Sequence, residues 1–163
     1  VKNFIKNINE GVHKLLNDEN GMLLQMKSKF EEKYVTIPIK AEMLLHLFRK
    51  QRIEGISNLD VSINNKSVVI SGIAKKVLDI VFYVEIIPIR AEGRKLYFEI
   101  MNMKPINQGW IKKKVFNKGP TVSYIEGLVC LDLNEIEKVK AIPFGTIRKM
   151  EVKANKLYVG IGI

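Results

Sequence analysis

The sequence predicts an α+β fold, a long, curved antiparallel β-sheet packed against one or two amphipathic helices. Three observations predict it. Apolar residues recur at helical spacing in two short stretches of the first third of the chain. From Leu59 onward the apolar period changes to two, and it returns in the closing hairpin that ends at Ile163. Ala91-Glu92-Gly93-Arg94 and Asn155-Lys156 read as hairpin turns, which make the strands they join antiparallel.

In chain order, Phe4, Ile5, Ile8, Val12, Leu15 and Leu16 recur three and four residues apart, so residues 2–17 read as a helix that stops at residues 17–21. Its narrow apolar stripe suits core packing first and a lipid surface second. Residues 22–29 alternate as a strand, and residues 34–39 form another, broken by Pro38. Residues 41–52 form a second helix, with Met43, Leu44, Leu47 and Phe48 on one side and His46 and Arg49 on the other.

Leu59, Val61 and Ile63 then alternate with Asp60, Ser62 and Asn64. After a turn at Asn64-Asn65 comes a strand over residues 68–73, with a bulge expected at Ser71-Gly72. Residues 77–89 make the longest strand. Ten of its thirteen residues are apolar, which predicts cover on both faces. Ile80, Phe82, Val84 and Ile86 mark one face; Val81, Tyr83, Ile87 and Ile89 mark the other. The chain returns over residues 95–103, with Leu96, Phe98 and Ile100 on one side and Tyr97, Glu99 and Met101 on the other. Residues 105–120 have weak periodicity and suit a loop or a short helix at 111–116. Residues 121–133 are strand-like, and residues 134–140 suit a helical turn. The end is a hairpin, residues 147–154 and 157–163, in which Gly160 and Gly162 leave one face flat enough for a helix or ligand to approach.

The length of 163 residues fits a single domain spanning residues 1–163, with a helix at 1–20 and the helix-plus-sheet body at 21–163. The chain is 47% apolar and 27% charged, a globular composition. Its lone cysteine, Cys130, excludes an intrachain disulfide, and its apolar neighbours suggest a small buried hydrophobe. The net charge of +10 favours an anionic partner. Only five of the 27 basic residues are Arg, so diffuse attraction fits better than bidentate phosphate recognition. No apolar run approaches the length that spans a bilayer. The chain begins at Val1, and an anchor upstream of it is compatible with a membrane-surface role.

Catalytic signatures are missing. There is no phosphate-binding glycine loop, no nucleophile elbow and no zinc spacing, with His13 and His46 far apart. The expectation is a binding protein with no catalytic residues, no metal and no cofactor. Two features point to a ligand. Strands apolar on both sides outnumber the helices able to cover them, so a second sheet layer or an apolar ligand must complete the burial. The candidate lining is Leu44, Leu47, Phe48, Ile80, Phe82, Val84, Leu96, Phe98 and Ile100. The other feature is Trp110 beside Lys112, Lys113 and Lys114, with Lys104 and Lys118 nearby. Tryptophan among lysines suits the interface of an anionic membrane; nucleic acid and a plain solvated loop are the competing explanations.

The order of elements also resembles a known family. Val35-Thr36-Ile37 precedes the Leu-rich helix; Leu59-Asp60-Val61-Ser62-Ile63 and Val68-Val69-Ile70-Ser71-Gly72 follow; the chain closes with Ile142-Pro143-Phe144-Gly145 and Lys156-Leu157-Tyr158-Val159-Gly160. This resembles the DUF2993-type bacterial envelope proteins, which are similar to the tubular lipid-binding (TULIP) superfamily. The resemblance covers residues 35–163 and implies a strongly curved sheet wrapped on a helix around an apolar groove. It supplies no catalytic residue. The expected partners are a lipid or other apolar ligand and an anionic membrane surface. An envelope protein, paired through an exposed edge strand ending at Ile163, is the alternative, and nucleic acid ranks below both. The expected location is the cell envelope, outside the cytoplasm, with a cytoplasmic location as the alternative.

Overall fold

The structure is a computed structural model that describes residues 34–163 apart from 51, 107 and 118. The helix expected over residues 2–17, the strand expected over residues 22–29 and Lys118 lie outside the described residues. The elements are β1 (Val35–Ile39), α1 (Ala41–Arg49), β2 (Ile56–Ile63), β3 (Val68–Lys75), β4 (Asp79–Glu92), β5 (Lys95–Lys104), α2 (Gly109–Phe116), β6 (Val122–Ile125), β7 (Leu128–Asp132), α3 (Glu137–Lys140), β8 (Thr146–Lys153) and β9 (Lys156–Gly162), with a 3-10 turn at Leu133–Glu135.

The strands form two antiparallel sheets: a six-stranded sheet of order β2-β3-β4-β5-β7-β6 and a three-stranded sheet of order β1-β9-β8. The α+β class and the curved antiparallel sheet therefore match the sequence pattern. The second sheet is the layer that the surplus of apolar strand faces required. Val35, Ile37, Ile39, Leu157, Val159 and Ile161 are fully buried in one cluster with Ile70, Val84, Leu96 and Phe98 of the large sheet. α1 packs on β2 and α2 on β6. The Phe48 and Phe116 rings meet edge-on at 6.0 Å, joining the two helices.

Three sequence expectations need correction. First, β9 is not an edge: it lies between β1 and β8, so the strand ending at Ile163 is not free to pair with another chain. Second, Val77 and Leu78 are not in the longest strand; they form the turn between β3 and β4, because the register pairs Lys75 with Asp79. Third, β4 is not covered on both faces. Phe82, Val84 and Ile86 are buried, whereas Val81 and Ile89 on the other side are exposed. A strand rich in apolar residues looks the same in sequence whether one or both faces are covered.

The flat glycine face of β9 is occupied from within. Tyr34 lies across it, so close that a Cβ on Gly160 or Gly162 would sit 3.1 Å from the tyrosine side chain. Lys149 Nζ lies 4.6 Å above the same ring.

Beyond this shared core, the small sheet is hydrogen-bonded to the large one at the β4–β5 turn. The end of β4 runs past β3, whose pairing stops at Ile86, and there Ile147 N–H of β8 donates to Gly93 O at 2.8 Å. Beside it, the Arg94 guanidinium donates to four backbone carbonyls: Val139 at 2.8 Å, Ile142 at 2.7 Å, Phe144 at 2.9 Å and Gly145 at 3.0 Å. A fifth bond reaches Asn134 Oδ1 at 3.2 Å. Val139 lies in α3, where its carbonyl also accepts from Ile142 N–H at 3.1 Å, and the other three carbonyls belong to the irregular crossing between α3 and β8, where no strand partner donates to them. Partial burial lowers the Arg94 pKa, yet the group remains a cation. Gly145 closes the crossing at φ +92°, and a Cβ there would lie 2.8 Å from Gly162 O.

Replacing Arg94 with Ala strands these acceptors, and urea unfolding will show a loss of about 2–4 kcal/mol. Arg94→Lys will recover less than half of it, because an ammonium cannot spread five donors in a plane. Full recovery by lysine would contradict this assignment.

Candidate functional site

The nine residues expected to line a groove divide sharply in the structure. Leu44, Leu47, Phe48, Phe82, Val84, Leu96 and Phe98 are each no more than 2% exposed, and Ile80 and Ile100 are partly buried against them. They face inward together, as their alternation implied, but the groove between helix and sheet is filled by the second sheet and by the helices. An apolar chain could meet them only by displacing protein side chains.

The uncovered apolar surface is the opposite face of the six-stranded sheet. Across β3 and β4, Ile73 pairs with Val81 and Ser71 with Tyr83. Across β4, β5 and β7, Ile87 pairs with Glu99 and Glu99 with Leu128. Two bulges sharpen this face. Ile86 pairs with Ile100 and Glu85 with Asn102, which leaves Met101 as an extra residue on β5. Pro88 pairs with Phe98 and Arg90 with Tyr97, which leaves Ile89 as an extra residue on β4. A bulged residue has no cross-strand partner and bends its strand, curving the sheet. Met101 and Ile89 are both exposed. The result is a curved sheet with an exposed hydrophobic patch, an arrangement consistent with apolar-ligand binding.

Polar groups interrupt the patch. Tyr83 OH accepts from Asn102 Nδ2 at 3.0 Å in the middle of the face. Toward β6, the Arg90 guanidinium stacks 3.9 Å from the centre of the Tyr97 ring and pairs with Glu92 at 3.5 Å. The Tyr97 phenol is pushed up to about 12 by its hydrogen bond to Glu92 and then by Cys130 beside it. Cys130 itself is buried on β7, as its apolar neighbours implied.

The structure places the tryptophan and lysine cluster on α2. Ile111, Val115 and Phe116 point inward. Trp110 is half-buried against the core, and Lys114, one turn on, is exposed. Trp110 Nε1 donates to Gln108 Oε1 at 2.7 Å, and Lys76 Nζ lies 5.2 Å over its ring. Lys114 Nζ donates to Glu54 O at 3.2 Å. Trp110 and Lys114 thus come beside the strand end that leads into the β3–β4 turn, a grouping that spacing along the chain does not reveal.

Other openings are shallow. A cleft of about 390 Å³ lies between α1 and the start of α3 with the two residues before it, lined by Glu42, Met43, His46, Leu47 and residues 135–138. Another of about 600 Å³ lies between residues 52–57 and Lys75 with Asp79. Among the described residues no group of three or more His, Cys, Asp or Glu is placed to hold a metal ion, and no helix is long and apolar enough to cross a membrane.

A tyrosine with a raised pKa favours the folded state below the unfolded value near 10, and that contribution fades as pH rises through the folded value. In an alkaline absorbance titration of the folded protein, one of the five tyrosines will therefore deprotonate last, and Tyr97→Phe will remove that step. An unchanged late step in Tyr97→Phe would refute the assignment.

No family model, curated protein or solved structure matches the chain.

Proposed function

We propose that the protein is a non-catalytic binding module that takes a lipid or other apolar chain against the outer face of its six-stranded sheet, at a membrane surface. The observation that carries this is the one-sided cover of that sheet. The inner face is closed by the chain's own second sheet, while Val81, Ile89 and Met101 stand exposed on the outer face, with Ile73, Tyr83 and Ile87 partly exposed among them. Apolar area left in water is a standing drive of roughly 25 cal/mol per Å² toward any partner that covers it. The excess of lysine supplies diffuse attraction to an anionic surface without a built phosphate site. The similarity of element order to envelope lipid-binding proteins agrees with the ligand class. It places the ligand differently, since a tube would hold the chain inside.

Binding of a long-chain fatty acid at monomeric concentration tests the proposal. The double variant Ile89→Asp/Met101→Asp will bind at least tenfold more weakly, since each replaced side chain gives up about 1 kcal/mol of apolar contact and adds an unpaired charge. Its unfolding midpoint will stay near that of the parent, because both residues are exposed. Equal affinity in parent and variant would rule out the outer face as the ligand surface.

A further inference from the structure

Among the described residues, the four most exposed large aliphatic side chains are Val77 at 87%, Leu78 at 75%, Val81 at 75% and Ile106 at 72%. They come from separate stretches of chain, yet the fold brings them to one end of the six-stranded sheet. Val77 and Leu78 form the β3–β4 turn. Val81 is the outward residue of β4 just inside it, paired with Ile73. Ile106 follows β5, whose last residue, Lys104, pairs with Tyr83. A turn that projects past its neighbouring strands has nothing of its own sheet to pack against, so these aliphatics are not unfinished core.

The charge around them is one-sided. Lys75 and Lys76 precede the tip, and Lys75 N–H donates to Gly55 O at 2.8 Å, which brings the loop after Arg52 alongside. Lys114 reaches Glu54 O in that same loop, Lys76 covers the Trp110 ring, and Lys104 precedes Ile106. Glu54 and Asp79 are the acidic residues in these segments. An aliphatic tip, a collar of lysines and a tryptophan at the level of the collar form a sequence of layers. It matches acyl chains, then anionic headgroups, with an indole at their boundary. A nucleic acid would use the lysines and leave the aliphatics in water. A folded protein partner would have to match both the protruding aliphatics and the lysines beside them with one rigid surface, which a bilayer does not need to do.

We infer that this end of the molecule docks on an anionic phospholipid bilayer, with Val77 and Leu78 entering the acyl boundary and the lysine collar meeting the headgroups. This deepens the binding proposal by setting how the module sits. It rests on that proposal only for the presence of a membrane. The exposed strip from the tip through Val81 and Ile73 runs from the bilayer toward the rest of the outer face.

The test is co-sedimentation of the protein with vesicles of phosphatidylcholine, with and without about a third phosphatidylserine. The parent will bind the anionic vesicles, and Trp110 emission will shift to the blue. Val77→Asp/Leu78→Asp will bind at least about tenfold more weakly with an unchanged melting temperature, and Leu78→Trp will bind more tightly. Lys75→Glu/Lys76→Glu will lose the preference for phosphatidylserine. Vesicle binding unaffected by the aspartates would overturn the inference. So would absence of parent binding, or binding of a short RNA that depends on the lysines while vesicles are ignored. The fatty-acid titration is read separately. If the tip variants lose vesicles but keep the fatty acid, both conclusions stand. If the parent binds vesicles through the tip but takes no fatty acid, the outer-face proposal alone fails.

Discussion

The arrangement depends on closing one side of the large sheet and not the other. That closure is set by a contact between a tight turn and a long crossing: Arg94 gathers the carbonyls of residues 139–145, and Gly93 accepts from β8. Without these bonds the crossing would carry unsatisfied acceptors against the core, and the small sheet would lose its position over Val84, Leu96 and Phe98. The guanidinium suits the task because its donors lie in a plane and diverge, and because hydrogen bonds from a cation are stronger than those from a neutral group. With the crossing held, β1 and β8 flank β9 and the inner face is sealed.

Sealing one face exposes the consequences of the other. Both β4 and β5 are interrupted by bulges, and each bulge ejects an apolar residue, Ile89 or Met101, to the solvent side. Curvature and stickiness thus come from the same local defect. The register that follows each bulge also returns Met103 and Ala91 to the inner side. At the end of the sheet where β3 turns into β4, the aliphatics of the turn stand among lysines rather than under a helix. The exposed face and the exposed tip are continuous through Val81, which pairs with Ile73 just inside the β3–β4 turn.

Much of the fold was legible in the residues. The alternation of Ile80, Phe82, Val84 and Ile86 gave the inner face, and Leu96 with Phe98 gave its neighbour across the hairpin. Met43, Leu44, Leu47 and Phe48 gave the inward side of the helix. Burial of Cys130 followed from its neighbours. Less was legible where contacts are distant in sequence. Pairing of β1 with β9 joins residues 35–39 to residues 157–161, and no local pattern encodes it. Tyr34 fills the flat face made by Gly160 and Gly162, but the glycines announce only the space and not its occupant. Arg94 reads as one polar residue in a turn, since its acceptors lie 40 to 51 residues downstream. The residues expected to line a groove are buried for a related reason. Period-two alternation separates two faces, but does not say which face the rest of the chain covers, and the residues chosen as a lining were the core itself. Val77 and Leu78 read as strand because hydrophobicity alone cannot distinguish a buried strand end from an exposed tip.

The central claim is that lipid meets the outer face and its tip while the inner face stays shut. Amide NMR spectra recorded with and without anionic lipid nanodiscs test it most directly. The account predicts line broadening at residues 77, 78, 81 and 106 and shifts at 89 and 101, with the signals of Phe48, Val84, Leu96 and Phe98 unmoved. Perturbation concentrated on those four core residues, with the tip unaffected, would mean that the protein opens to take its ligand inside and would contradict the account.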